Sequence, residues 1–172
     1  MASEILERKI TTPSRPEFLS LNQGVALVII NRRAEVLLGQ QSTADCQYGR
    51  RADQWNIFTE TREIEEKGIK TTVRRGVTEE LGVDFDDFTP VPGSYRETNG
   101  VYVQLTGFPF LFRCIVLQYN GDETLDPNKI FRSQDGEISG YHWVNPVNFH
   151  LYDIELGARL VLNYYFNQKG GL

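Results

Sequence analysis

The segment GVALVII at residues 24–30 constrains the fold more than any other part of this chain. Its residues are apolar or glycine, several are β-branched, and no polar residue interrupts them. A strand with one wet face alternates apolar and polar residues, whereas a continuous apolar run is typical of a strand covered on both faces. The sequence therefore predicts a central strand with packed layers on either side of it.

Further strands and two helices follow this run. The other strand candidates are AEVLLGQ (34–40), which we expect to be the hairpin partner of the first strand, WNIF (55–58), VYVQL (101–105), FPFLFRCIVLQY (108–119) and ISGYHWV (138–144). The predicted helices cover 70–81 and about 153–166, the second burying Ile154, Leu160, Val161 and Tyr164. Two helices and a majority of strands predict an α+β protein, an α/β/α sandwich with a mixed β-sheet flanked by helices.

The length of 172 residues suits one domain. Residues 1–21 are polar, contain two prolines and predict an irregular lead-in, so the domain is expected over 22–168, with residues 59–67 as an acidic loop. A formal net charge of −5 argues against generic nucleic-acid binding, which needs a basic face. Any contact with phosphate groups should therefore be mediated by a metal ion.

Cysteine content and hydropathy indicate the compartment. Cys46 and Cys114 form neither a disulfide framework nor a ligand spacing, and they suit reduced thiols. The N-terminus has no signal-peptide pattern, and no apolar stretch reaches the length of a membrane helix. We expect a cytoplasmic protein without a membrane partner.

The helix predicted over 70–81 carries the residues of greatest chemical interest. Val73, Val77 and Leu81 form one apolar stripe, and Gly82 has the place of a C-cap. At 100° per residue, Glu80 falls about 60° from the centre of that stripe, on the shoulder of the buried face. Gly76 lies one turn earlier, and its missing side chain predicts open space beside Glu80.

Two interpretations of the acids on this helix stay open at this point. Glu79 and Glu80 beside bare backbone suit a pocket for a hard cation such as Mg²⁺, which prefers carboxylate oxygens. Alternatively, Glu79 is a solvated helix acid paired with Arg75 one turn earlier, and Glu80 a partly exposed acid with an arginine partner.

The wider sequence frame favours the cation site. Residues 75–83, RGVTEELGV, resemble the second half of the Nudix box, whose pattern is G-x5-E-x7-R-E-U-x-E-E-x-G-U with U aliphatic. The matching residues are Arg75, Val77, Glu79, Glu80, Gly82 and Val83. Three positions depart, because Thr61, Lys67 and Gly76 stand where the pattern has a glycine and two glutamates. The strands before and after the helix resemble the family over residues 22–166.

The resemblance implies a hydrolase that uses Mg²⁺ or Mn²⁺ to cleave a nucleoside diphosphate linked to another group. By matching positions, Glu79 and Glu80 are implied metal ligands and catalytic residues, whereas Arg75 and Gly82 are implied to be structural. Arg75 should pair with an acid of the preceding loop. The missing third acid must come from elsewhere, and Glu60, Glu63, Glu65 and Glu66 offer replacements, of which Glu63 is the one we select.

Residues outside the helix complete the predicted site. Glu137, before the closing strand, occupies the place where many members of the family have an additional acid as base or ligand. Arg50 and Arg51 offer guanidinium groups for the phosphates of a small, nucleotide-derived diphosphate substrate. The fold also suits a homodimer.

Two alternative functions remain. A non-catalytic module that binds a nucleotide or protein is favoured by Gly76 and Lys67, where box acids are missing. Isopentenyl diphosphate isomerase has a similar fold, but it needs a cysteine and histidines after its tryptophan, and WNIFTE (55–60) contains neither. The retained pair Glu79–Glu80 favours the hydrolase over both alternatives.

Overall fold

The structure is a computed structural model that describes residues 6–10, 22–45, 50–63, 65–66, 68–95, 100–105 and 108–168. Within these ranges the strands are β1 (Leu6–Ile10), β2 (Asn22–Ile30), β3 (Val36–Gln41), β4 (Trp55–Asn56), β5 (Phe58–Thr61), β6 (Phe88–Pro90), β7 (Gly100–Leu105), β8 (Phe108–Tyr119) and β9 (Ile138–Val144). The α-helices are α1 (Ile69–Leu81), α2 (Pro127–Ile130) and α3 (Leu156–Gln168). Short 3₁₀ turns span Phe85–Asp87 and Pro146–Leu151.

The strands form one mixed sheet around β2. Strand β2 runs parallel to β8 along its whole length and antiparallel to β5 over Gly24–Leu27. The main path through the sheet is β1-β7-β8-β2-β3-β4, with β6 paired to β8 and β9 paired to β3. A mixed sheet with helices confirms the predicted α+β class.

Strand β2 is buried on both faces, as its continuous apolar run predicts. Val25, Leu27 and Ile29 belong to the core beneath α1. Ala26 and Val28 point the other way, into the core that also contains the buried residues of α3. The two helices therefore cover opposite faces of the sheet, and α1 lies against β2 and β5.

Two expectations about the strands need correction, and a third is confirmed in a shorter form. The lead-in is not irregular throughout, because Leu6–Ile10 pairs with β7 as an edge strand. The predicted hairpin of β2 and β3 is present but short, with one antiparallel pair at Ile30 and Val36, because β5 occupies the antiparallel edge of β2 over Gly24–Leu27 and β3 pairs mainly with β9. The acidic loop begins later than residue 59, because β5 continues to Thr61.

The last helix begins three residues later than expected. Glu155 lies just before Leu156, and its carboxylate accepts hydrogen bonds from the backbone N–H groups of Gly157 and Ala158, each at 2.8 Å. These bonds satisfy donors that have no partner within the helix, so Glu155 fixes its beginning. The helix buries Ala158, Val161 and Leu162, whereas Leu160 and Tyr164 are half-buried.

Two further features concern the helices and the cysteines. Within the described residues, no helix has both the length and the apolar character that crossing a membrane requires. Cys114 is a free thiol, and Cys46 lies outside the described residues.

Candidate functional site

Helix α1 is fixed to the sheet by the predicted apolar stripe. Val73, Val77 and Leu81 are each at most 1% exposed. The helix ends at Gly82, which has φ of +66° and donates its backbone N–H to the carbonyl of Thr78 at 3.0 Å. The predicted C-cap is therefore present, and it determines where the chain leaves the helix.

A second loop, residues 131–137, attaches to this end of α1. The backbone N–H of Arg132 donates to the carbonyl of Leu81 at 2.9 Å, and that of Gln134 donates to the carbonyl of Glu79 at 2.8 Å. The last carbonyls of a helix lack partners within it, so the loop supplies the donors they need. We call residues 131–137 the capping loop.

The capping loop brings negative charge to Glu80. Burial, together with the charges of Asp135, Glu137 and Glu60, raises the pKa of Glu80 to about 8, whereas the charge of Arg50 opposes this increase. No side chain of the described residues donates a hydrogen bond to the Glu80 carboxylate. A poorly hydrated acid among three other acids is costly to ionise unless a cation reaches it.

Gly76 does not border open space, so this expectation is wrong. The residue is buried, and a Cβ built on it would lie 3.1 Å from the Cβ of Glu60 and 3.1 Å from Cδ1 of Leu27. Strand β5 passes so close to α1 that the Glu60 side chain fills the room beside the glycine. Burial also raises the pKa of Glu60, and Arg75 counteracts this increase.

Arg75 is the centre of an ion-pair network. Its guanidinium lies 2.6 Å from Glu60 and 3.1 Å from Glu66, two carboxylates whose side chains are only 12% and 7% exposed. It also lies 3.5 Å from Glu79 and 3.8 Å from Glu63, whose side chains are 46% and 61% exposed. Arg75 thus joins two buried acids of the preceding segment to two acids at the surface.

Glu66 provides the predicted contact between Arg75 and an acid of the preceding loop, and it lies one residue before Lys67, which is outside the described residues. The Glu66 carboxylate accepts hydrogen bonds from Thr72 Oγ1 at 2.6 Å and from Arg75 Nε at 3.1 Å. Burial opposes ionisation of Glu66, but these hydrogen bonds outweigh it and hold the pKa below its ordinary value. Glu66 therefore enters the network as an ionised acid held by Thr72 and Arg75.

We expect Arg75→Gln to destabilise the fold by about 2 kcal/mol near pH 7, because two buried carboxylates lose their cation. Glu66 has a lowered pKa in the folded state, so its contribution is present above the unfolded-state pKa and is lost as the pH falls through the folded-state value. The cost should therefore shrink in acid. Urea unfolding at pH 7 and pH 4 measures both values.

Arg74→Gln is the matched control for this substitution. Arg74 lies on the exposed side of α1, 3.5 Å from Asp86, whose side chain is 80% exposed. Exposed pairs contribute about 0–1 kcal/mol. An equal loss of stability in the two variants would contradict the role of Arg75 in the network.

The structure separates the two predicted phosphate-binding arginines. The Arg50 guanidinium donates to Thr59 Oγ1 at 3.1 Å, next to Glu60 on β5, and its charge reaches Glu80. Arg51 instead pairs with Asp153 at 2.6 Å on the surface, where both side chains are more than half exposed. Arg50 is the arginine that faces the acids.

Two acids near Glu80 were not selected from the sequence. Asp135 and Glu60 face Glu80 electrostatically, but Asp135 was not predicted, and Glu60 was only one of four candidate replacements. Glu60 lies in strand β5, where the sequence had predicted a loop, and the strand is what holds its side chain next to α1. Asp135 lies two residues before Glu137, and its carboxylate accepts hydrogen bonds from Ser133 Oγ and the Glu137 backbone N–H.

Carboxylate oxygens are suitable ligands for a hard cation, but the side chains are not arranged around a common point. Across the described ranges, no three acidic, histidine or cysteine side chains are arranged so that they could hold one metal ion. Glu60 is turned towards Arg75, and Asp135 is turned towards the capping loop. The Glu80 carboxylate, without a donor and surrounded by like charge, is the group that fits a metal ligand best.

A separate concavity lies between strands β3, β4 and β9 and helix α2. It has a volume of about 520 Å³, within the range of small-molecule sites, and it contains none of the predicted site residues. Its lining residues are Gln40, Trp55, Asp126, Pro127, Asn128, Gly140, Tyr141 and His142. Tyr141 connects the two regions, because its hydroxyl donates to the carbonyl of Glu80 at 2.6 Å.

The family assignment follows from comparison with known proteins. The family model described as the NUDIX domain matches residues 21–164, most of the chain. The chain belongs to the NUDIX family. The mixed sheet with its flanking helices is thus the fold of a NUDIX domain. A comparison with curated protein sequences gave no significant match.

Solved structures share the fold of this NUDIX domain. An Ap4A hydrolase of C. elegans in a binary complex has a TM-score of 0.64 and 15% identity, covering 88% of this chain and 100% of that one. The MutT protein from Methanosarcina mazei Go1 has a TM-score of 0.61 and 20% identity, covering 87% and 95%. The NUDIX domain of Shewanella oneidensis NrtR complexed with ADP ribose has a TM-score of 0.59 and 12% identity, covering 90% and 93%. The family match supports a hydrolase enzyme, and these likenesses show that the fold is shared.

Proposed function

We propose that this NUDIX domain is a divalent-metal-dependent hydrolase of a nucleoside diphosphate linked to another group. The observation that carries this proposal is the state of Glu80. Its side chain is half-buried, receives no hydrogen bond from the described residues and faces the charges of Asp135, Glu137 and Glu60. A bound Mg²⁺ or Mn²⁺ ion would supply the missing positive charge, as hard cations do among carboxylates.

The proposed roles follow from where each side chain lies. Glu80, with Glu79 beside it, would hold the metal, which when bound neutralises phosphate charge and activates a water molecule. Glu63 is a further candidate ligand, although it is exposed and lies 3.8 Å from Arg75. Arg50 would bind a phosphate oxygen of the substrate through its guanidinium group.

Glu137 is the proposed general base. It is exposed on the capping loop and faces Glu80, so both solvent and a substrate can reach it. In the proposed reaction, the water oxygen forms a bond to one phosphorus while the bridging P–O bond breaks. Glu137 accepts the proton of the water and later releases it to solvent, and the products are two phosphate monoesters.

The substrate class is inferred from the likenesses. The C. elegans and Shewanella proteins are described as an Ap4A hydrolase and as a complex with ADP ribose, both nucleotide-derived compounds. A small nucleotide-derived diphosphate also agrees with the acidity of this chain, because a metal ion rather than a basic surface would receive its phosphates. A homodimer and a cytoplasmic location remain predictions.

The test is product release from a panel of nucleotides, dinucleoside polyphosphates, ADP-ribose and nucleotide sugars, with Mg²⁺, with Mn²⁺ and with EDTA. We expect cleavage of at least one compound that needs the metal and falls on the order of 100-fold or more in Glu80→Gln. Glu65→Gln, which removes an exposed acid of the same region, is the matched control. Cleavage that survives EDTA or Glu80→Gln would contradict the proposal. Stabilisation by a nucleotide without product release would favour the non-catalytic binding module.

A further inference from the structure

We propose that Glu60 supplies, from strand β5, the carboxylate that the box pattern places on the helix at residue 76. The inference deepens the proposed function and rests on it, because the carboxylate would serve the same metal. In the box pattern the glutamate is on the helix. In this chain the helix residue at that position is Gly76, and the glutamate next to it, Glu60, is on β5.

The packing between α1 and β5 is tight at this contact. A Cβ on Gly76 would lie 3.1 Å from Glu60 Cβ, 3.4 Å from Glu60 Cγ and 3.1 Å from Leu27 Cδ1. The two contacts at 3.1 Å are tighter than ordinary van der Waals contact, so a side chain at 76 would require Glu60 or Leu27 to move by a few tenths of an ångström. The glycine thus lets Glu60 lie against the helix without such a shift.

The position of Glu60 corresponds to that of the missing acid. Residues 76 and 80 are four apart on α1 and therefore lie on the same side of the helix, one turn apart. Glu60 lies against residue 76, and its charge acts on Glu80. Its side chain is 12% exposed, whereas that of Glu63, the acid chosen from the sequence, is 61% exposed.

The Glu60 carboxylate is held in place and still has a ligand atom to offer. Its Oε1 lies 2.6 Å from Arg75 Nη1 and accepts a hydrogen bond from the backbone N–H of Thr61 at 2.9 Å. Both contacts use the same oxygen, and the described residues provide no partner for Oε2. Arg75 can therefore fix Oε1 while Oε2 serves a cation, after a side-chain rotation towards Glu80.

A double-mutant cycle in the full chain tests whether Glu60 supplies that carboxylate. Mn²⁺ binding is measured from the spin-resonance signal of the free ion, with melting temperature recorded without metal. We expect Glu60→Gly to weaken Mn²⁺ binding about tenfold or more, as the loss of a ligand or of its support does. Gly76→Glu alone should lower the melting temperature because of the contacts with Glu60 and Leu27. The double variant Glu60→Gly/Gly76→Glu should recover Mn²⁺ affinity to within about threefold of the wild type. If the two positions acted independently, the effects of the two single substitutions on Mn²⁺ affinity would instead add.

Two further variants separate metal binding from structure. Glu60→Gln keeps the shape of the side chain and should still weaken Mn²⁺ binding, so the result does not depend on a folding defect. Asp86→Asn removes an exposed acid that pairs with Arg74, outside this network, and should leave both the melting temperature and Mn²⁺ affinity nearly unchanged.

The outcomes distinguish this inference from the proposed function. Mn²⁺ binding that is lost in Glu80→Gln but unchanged in Glu60→Gln would overturn the role of Glu60 and leave the metal site standing. A double variant that binds no better than Glu60→Gly would overturn the correspondence of the two positions. Absence of saturable Mn²⁺ binding in the wild type would overturn both proposals.

Discussion

Glu80→Gln is expected to raise the melting temperature of the metal-free protein at pH 8 while abolishing the stabilisation that Mn²⁺ gives to the wild type. The folded-state pKa of Glu80 is raised from 4.5 to about 8, mainly by burial. Between these two values the folded state holds a proton that the unfolded state has released, so the stability of the wild type falls as the pH rises through this window. A neutral glutamine does not titrate and escapes this loss.

The size of the effect follows from the pKa shift. Each pKa unit corresponds to about 1.4 kcal/mol, but neighbouring acids titrate together and part of the group is hydrated, so we expect a gain of about 2 kcal/mol at pH 8. For a chain of this length that is a rise of roughly 5 °C in melting temperature. At pH 4.5 wild type and variant should be nearly equal.

Melting curves from pH 4.5 to 8.5, in EDTA and in Mn²⁺, measure both parts of this prediction. Mn²⁺ binding to the folded state alone should stabilise the wild type increasingly with concentration, and Glu80→Gln should not respond. Glu65→Gln serves as the control for removing one acid, and it should keep the response to Mn²⁺. A variant that loses stability in EDTA, or that keeps the full Mn²⁺ response, would contradict the assignment of Glu80.

Gly82→Ala is expected to destabilise the protein by about 3 kcal/mol and to weaken Mn²⁺ binding as well. Gly82 has φ of +66°, and a Cβ there would lie 2.3 Å from the carbonyl oxygen of Arg132. A left-handed conformation costs an alanine roughly 1–2 kcal/mol, and displacing the backbone at Arg132 adds to that. Because Arg132 begins the capping loop's contact with α1, its displacement should move Asp135 and Glu137 away from Glu80.

Gly93→Ala is a matched control, because it measures the cost of a left-handed backbone conformation without a steric contact. Gly93 has φ of +73°, and nothing lies within 4 Å of a Cβ built on it. We expect Gly93→Ala to cost about 1 kcal/mol and to leave Mn²⁺ affinity unchanged. Chemical unfolding and Mn²⁺ titration of both variants provide the comparison. Equal effects of the two substitutions would show that the contact with Arg132 is unimportant.

The elements that the sequence predicted well are those governed by local pattern. The stripe of Val73, Val77 and Leu81 predicted α1 to within one residue, and Gly82 predicted its end. The unbroken apolar run at 24–30 predicted a strand buried on both faces. In each case the periodicity of one segment and one capping residue contain the necessary information.

The errors concern contacts between segments that are distant in sequence. Gly76 suggested open space because the proximity of β5 to α1 leaves no trace in either segment alone. Residues 59–61 were assigned to the acidic loop, whereas β5 continues to Thr61 and holds Glu60 against the helix. Asp135 was missed because backbone hydrogen bonds, which no side chain encodes, attach the capping loop to α1.

The most direct test of the central claim is the anomalous scattering of Mn²⁺ in crystals of the wild-type chain grown with the metal. A peak at ligating distance from Glu80, about 2.1 Å for a small hard cation, with Glu60 rotated towards it, is the predicted result. No peak at saturating Mn²⁺, or a peak bound only by exposed acids away from Glu80, would contradict the claim that the acids at the end of α1 form a metal site.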